Sequence, residues 1–255
     1  MPNIKPLAIP TDTIYVYDGS YHGFMCCVFK SVYSGEIPAD IVTFDKEPIT
    51  LFPLQAIETD ENKAYRVLES ISKKISWKAQ WLIETVFLSC LPQKELSILK
   101  FLLRGYSEGR RLLSKLGDPD VSLMLKAEMH LLGEAHLLKG FVRFADYNGV
   151  LAATITPKNF ILPFISDHFT QRFSDEHFMI FDKTHRAALI YQNRRREIVS
   201  VDNIEFPSVS EEEKQYQTMW KRFYDTIAIE ARTNPRCRMT HMPKRYWENM
   251  TEMQE

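Results

Sequence analysis

Glycine is scarce in this 255-residue sequence, with 9 in all, and no G-x-x-x-x-G-K-[ST], G-x-G-x-x-G or G-x-S-x-G stands in it. That disfavours P-loop nucleotide hydrolysis, Rossmann dinucleotide use and the α/β-hydrolase elbow, all of which need glycine where backbone meets phosphate or turns sharply. Cysteine is sparse too. Cys26, Cys27, Cys90 and Cys237 show no C-x-x-C spacing, so reduced thiols in a cytoplasmic protein are expected instead of a disulfide scaffold. Neither Cys26-Cys27 nor Cys90 neighbours a catalytic histidine arrangement, and adjacent cysteines in an apolar helix read as core fillers. No apolar run approaches the roughly 18 to 20 residues of a membrane span. The opening MPNIKPLAIP lacks the basic-then-apolar layout of a signal peptide, so no membrane partner is expected. Charge of one sign is missing as well: 32 Lys and Arg face 33 Asp and Glu, and the formal charge is -1. Any electrostatic partner must therefore be sought in local clusters. With 45% hydrophobic and 12% aromatic residues, disorder, collagen and low complexity are excluded.

Periodicity supplies the architecture. TIYVYD alternates β-branched and aromatic residues before Gly19-Ser20, predicting a strand and then a helix from about 20 to 33 capped by Asp18 or Ser20. Short extended pieces follow at 41–44 and 51–59, then helices at about 59–75, 76–90 and 93–105 and a shorter one to 117. Asp118-Pro119 opens a long helix that Gly140 should end. GFVRFAD and VLAATIT around Asn148-Gly149 predict a hairpin, and a helix at 163–173 and three strands in FMIFD, AALIYQ and REIVSV come next. A final helix from about 210 to 232 places Tyr216, Met219, Trp220, Phe223, Tyr224 and Ile227 on one stripe. The expected fold is α+β: a mainly antiparallel sheet of about five strands with packed helices, preceded by a small α/β and helical part. Residues 1–90 would form that N-terminal part and 91–255 the core with a basic C-terminal segment, or the two would be one continuous domain.

Three groups of residues invite chemistry. ARTNPRCRMTHMPKRYW, from Ala231 to Trp247, holds Arg232, Arg236, Arg238, Lys244 and Arg245 with no acid between Glu230 and Glu248. Arg forks and Lys ammoniums suit phosphate oxygens, and Tyr246 and Trp247 offer faces for a base; the plainer reading is a solvated tail whose aromatics dock on the core. Arg194-Arg195-Arg196 and the middle cluster Arg104, Arg110, Arg111 and Lys115 are accessories at most. On the long helix, His130, Glu134 and His136 lack H-E-x-x-H spacing, so no metal is expected. Glu134 and His136 near Arg143 suit proton transfer or phosphate positioning, or else simply bond the helix end to its surroundings. Glu128 lies on the apolar stripe and needs a partner, such as an arginine of the sheet. His168 and Arg172, at i and i+4, form either a structural pair or part of a site. No cofactor motif is present.

TIYVYDGSYHGFMCCVF, EAHLLKGFVRFADYNGVLAATITPKNFILPFISDHFTQRF and IAIEARTNPRCRMTHMPKRYWENMTE together resemble the bacterial family of probable DNA metabolism proteins, over nearly the whole chain. The resemblance implies a process and a partner: such genes sit beside one for a radical SAM DNA modification or repair protein, and related domains are fused to uracil-DNA-glycosylase-like domains. The family's activity is unassigned. Its motif positions fall on Glu134, His136, Gly140, Phe141, Arg143 and Phe144; on Leu162, Pro163, His168, Phe169 and Arg172; on Asn234 to Arg236 and Met242 to Trp247; and on Tyr17 to Ser20.

The expectation is thus a nucleic-acid-binding or adaptor protein in DNA repair or modification, partnered by DNA or another nucleic acid and by a radical SAM protein. Arg143, His168, Arg172, Arg236, Lys244, Arg245, Tyr246 and Trp247 would form its binding surface. The alternative is an enzyme processing a damaged base or nucleotide, with His136 and Glu134 as acid/base pair. A second alternative is a protein-interaction scaffold.

Overall fold

The computed structural model describes residues 8–46, 49–228 and 234–254. The chain divides into two compact units, Met1–His130 and Leu131–Glu255.

The first unit is built around one strand, β2, that is buried along its whole length. β1 (Ile9–Pro10) pairs in parallel with β3 (Glu36–Ile37), while β2 (Ile14–Tyr17) lies between β4 (Asp40–Thr43) and β5 (Leu54–Ala56), also in parallel. All four β2 residues are buried, as a central parallel strand requires. Helix α1 (Tyr21–Ser34) starts at Ser20, whose hydroxyl accepts the Gly23 N–H, and ends at Gly35 in a left-handed conformation with φ 71°. Gly23 lets α1 sit tightly against Asp18, the residue after β2, because a Cβ there would lie 2.2 Å from Asp18 Oδ1. Helices α2 (Glu61–Lys74), α3 (Trp77–Phe87) and α4 (Lys94–Glu108) complete the unit, α2 and α3 capped by Asp60 and Ser76. Tyr15, Phe24, Ile71, Ile83 and Phe101 centre its core. Helix α5 (Pro119–Phe141) contains the division between the units. Glu128 does find a partner, the indole of Trp81 in place of an arginine, and burial holds its carboxyl above the ordinary range.

The second unit is built on a five-stranded sheet in the order β10-β9-β8-β7-β6, where β6 is Ala145–Asp146, β7 Val150–Ile155, β8 His177–Asp182, β9 Ala187–Gln192 and β10 Arg195–Ser200. The α+β fold is as the periodicity predicts, and the sheet is mostly antiparallel. One pair differs: β7 and β8 run parallel, with Ala153 opposite Ile180. Helix α6 (Leu162–Arg172) supplies the crossover that a parallel pair needs and packs on β9 and β10. The hairpin before it turns at Asn148 and Gly149, φ 56° and 87°, the two positive values that an Asn-Gly turn provides. Its first arm is only two residues long, and α5 runs one residue past Gly140. Helix α7 (Glu211–Ile227) is capped by Ser210 and buries none of its residues. Helix α8 (Pro235–His241) and two short 3-10 turns, Lys244–Asn249 and Thr251–Met253, end the described chain. No helix among the described residues is long and apolar enough to cross a membrane.

Candidate functional site

Glu134 sits one turn from Leu131 and Leu138 on the buried stripe of α5, where an unpartnered carboxylate would be costly. It is saturated instead. The N–H of Lys158 lies 3.1 Å from both carboxylate oxygens, and the N–H and side-chain amide of Asn159 donate to Oε2 at 2.8 and 2.6 Å. Arg245 Nη2 and the Tyr246 hydroxyl donate to Oε1 at 2.6 and 2.9 Å. The Glu134 side chain is 2% exposed. Burial raises its affinity for a proton, but the donors from Lys158, Asn159 and Arg245 outweigh it and hold the carboxyl below its ordinary range. Burial and the Glu134 charge push the Tyr246 hydroxyl well up. The cluster therefore fastens the C-terminal segment to the loop after β7, and Thr156 adds a bond to the Arg245 carbonyl at 3.1 Å. His136 is exposed, two residues and about 200° around the helix from Glu134. The structure does not bring that pair together.

A second buried carboxylate organises an open groove. Glu252, 2% exposed, receives Arg143 through two prongs, Nη2–Oε1 at 2.6 Å and Nε–Oε2 at 3.1 Å. The remaining Arg143 Nη1 bonds the carbonyls of Gly140 and Val142, satisfying the end of α5. Trp220 of α7 donates its indole N–H to Glu252 at 3.0 Å, and the Arg143 guanidinium lies 5.5 Å from the Trp220 ring centre. Burial pushes the Glu252 carboxyl up, but Arg143, a backbone N–H and Trp220 bring it below its usual range.

The groove encloses about 820 Å³, within the roughly 300 to 1,000 Å³ of ligand pockets. Among the lining residues Phe144 and Phe173 meet edge to face at 5.1 Å, and Trp220 and Phe223 lie 5.8 Å apart along α7. Lys139 and Arg172 bring positive charge to the lining, and Glu213 brings one acid. His168 lies behind this group: its own burial, then Lys139 and Arg172, lowers its proton affinity below the usual histidine value. A smaller pocket of about 210 Å³ shares Arg143, Phe144, Gln217 and Thr251 with the groove.

The other predicted positions are spread out. Arg236 and Arg238 are exposed on α8, Lys244 is exposed 5.8 Å from the Trp247 ring centre, and Trp247 is half-buried with its N–H on the Met242 carbonyl at 3.0 Å. Arg232 lies outside the described residues. Arg196 pairs with Asp167 and Arg194 with Asp175, while Arg104 is engaged by Glu108, Asp118 and Asp120. Among the described residues no group of three His, Cys, Asp or Glu could hold a metal ion. Lys139, Phe173 and Glu252 belong to the groove or its support without any motif or spacing in the sequence that marks them. The periodicity places Trp220 and Phe223 on an apolar stripe, whose open exposure shows only in three dimensions.

The family model described as Domain of unknown function (DUF4130) matches residues 92–252. The chain belongs to that family. No curated protein matches the chain. The DUF4130 segment contains Glu134, both arginines of the two buried ion pairs, Glu252 and the whole lining of the groove.

Proposed function

We propose that this DUF4130 protein binds nucleic acid as a binding or adaptor subunit in DNA repair or modification, working beside a radical SAM enzyme. The observation that carries the reading is the groove of Leu131–Glu255, whose lining joins the aromatic side chains Phe144, Phe173, Trp220 and Phe223 to the cations Lys139 and Arg172. Bases stack on such faces and phosphates seek such cations. The resemblance over the opening, central and closing segments supports the process and the partner. In this reading Arg172 and Lys139 contact phosphates, while His168 tunes their field. Arg236 and Lys244 add exposed charge, and Trp247 is a further stacking face. Arg143, Arg245 and Tyr246 act indirectly, by holding the groove and the C-terminal segment in shape.

Fluorescence anisotropy of labelled DNA between about 50 and 200 mM salt tests this. Wild-type protein should bind with falling affinity as salt rises, and the Lys139→Ala/Arg172→Ala double variant should lose most of that binding. Salt-independent or absent binding would overturn the proposal.

A scaffold role is the second reading, favoured by Tyr216, Met219, Phe223 and Ile227 lying open on α7. It predicts that the double variant keeps its capture of the radical SAM partner while Met219→Asp loses it.

A further inference from the structure

We infer that the groove beside α7 receives single-stranded DNA, with an unpaired base stacked on Trp220, and discriminates against duplex. This rests on the nucleic-acid reading above and adds the form of the strand.

The indole of Trp220 is set in place before any ligand arrives. Its N–H is fixed on Glu252 at 3.0 Å, and the guanidinium of Arg143, itself locked on the same carboxylate, lies 5.5 Å from its ring centre. The ring nevertheless remains 39% exposed and lines the groove. A side chain already held in one orientation loses little freedom on stacking, so more of the contact appears as affinity.

Two half-buried rings, Phe144 and Phe173, also belong to the lining and meet edge to face at 5.1 Å. Such faces are useful only to a base whose own faces are uncovered, and in a duplex each base is covered by its neighbours.

The charges agree. No carboxylate pairs with Lys139 or Arg172 among the described residues, whereas Arg143 is neutralised by Glu252 and Glu213 brings negative charge to the same lining. The two cations of the groove suit about two phosphates, so Lys139→Ala/Arg172→Ala should make the slope of log affinity against log salt shallower by about 1.4 for a single strand, at about 0.7 per phosphate. So few phosphate contacts are too weak to hold a duplex without base contacts.

The test titrates oligo-dT, a duplex and oligo-rU into the whole protein, reading both anisotropy and tryptophan fluorescence. Oligo-dT should bind about tenfold or more tighter than duplex and quench the emission. Trp220→Leu should weaken oligo-dT binding about fivefold or more, the equivalent of one lost base stack, and remove most of the quench. Phe223→Leu alters the same wall without touching Glu252, so it reports on the groove even if Trp220→Leu proves poorly folded; it should weaken oligo-dT about twofold or more. Duplex bound as tightly as oligo-dT, oligo-rU bound about tenfold tighter than oligo-dT, or unchanged oligo-dT affinity in both variants would overturn the inference and leave the broader reading standing. Failure of every oligonucleotide to bind at about 50 mM salt would defeat that reading too and assign the α7 face to a protein partner.

Discussion

Arg143 and Glu252, 109 residues apart in sequence, meet through two parallel bonds of 3.1 and 2.6 Å. The same carboxylate holds Trp220, so one ion pair joins the end of α5, helix α7 and the last turn of the described chain. A guanidinium fork fits this geometry and a lysine ammonium does not. Arg143→Lys should lower stability by about 2 kcal/mol, the scale of one lost charge-assisted bond, and shift Trp220 emission to the red. Denaturation followed by fluorescence measures both, and an unchanged midpoint would contradict the role given to the pair.

Glu134→Ala leaves Arg245 without its carboxylate and strips partners from Asn159 and Tyr246. Breaking a buried ion pair costs about 3 to 5 kcal/mol, and the lower end applies here because the Arg245 side chain keeps 32% of its surface exposed. His136→Ala, at an exposed position, should change stability by less than about 0.5 kcal/mol. Equal losses in the two variants would argue that the carboxylate is not the hub.

Acid should weaken the second unit through the same groups. Glu134 and Glu252 both titrate below the ordinary value of 4.5 in the fold. Their contribution is present above pH 4.5 and is lost as pH falls through their folded values, because the unfolded chain takes up those protons first. A pH series of melting temperatures should show this fall, and Glu252→Gln should make it shallower.

His168 acts in a higher window. Its folded proton affinity lies below the ordinary 6.5, so the unfolded chain binds the proton more readily and stability declines as pH drops below about 6.5. His168→Gln should flatten that part of the curve. An NMR titration of the His168 ring giving a pKa above 6.5 in the free protein would contradict the burial and charge argument.

Gly23 tests the first unit. A Cβ there would meet Asp18 Oδ1 at 2.2 Å and Thr59 Oγ1 at 2.8 Å, and Asp18 is held by Ser20 and Thr59. Gly23→Ala should destabilise by about 1 to 3 kcal/mol, despite alanine's better helix propensity, as measured by chemical denaturation.

Much of the fold was legible because local signals and tertiary packing agree: Ser20, Asp60 and Ser76 are helix caps, and Asn148-Gly149 is a turn. The parallel β7–β8 pair was not, since periodicity does not say to which side of a strand a crossover helix returns the chain. Glu134 and Arg143 carry a signal in the sequence, as a carboxylate and a guanidinium near the end of one long helix, but Arg143's acid comes from residue 252, and no spacing rule links the two. For Tyr246 the sequence leaves a stacking face or an anchor of the tail open, and the structure has the anchor: the side chain is 2% exposed against the Glu134 carboxylate. The stripe on α7 looked like core because an amphipathic pattern records which side is apolar, not whether anything covers it.

Photo-cross-linking locates the strand on the protein. Oligo-dT carrying a halogenated deoxyuridine is irradiated with the full chain, and the modified peptide is identified by mass spectrometry. The account predicts attachment within α7, centred on Trp220, and its loss in Lys139→Ala/Arg172→Ala. Attachment instead at the exposed Trp77 or Trp81 of the first unit, with none on α7, would contradict it.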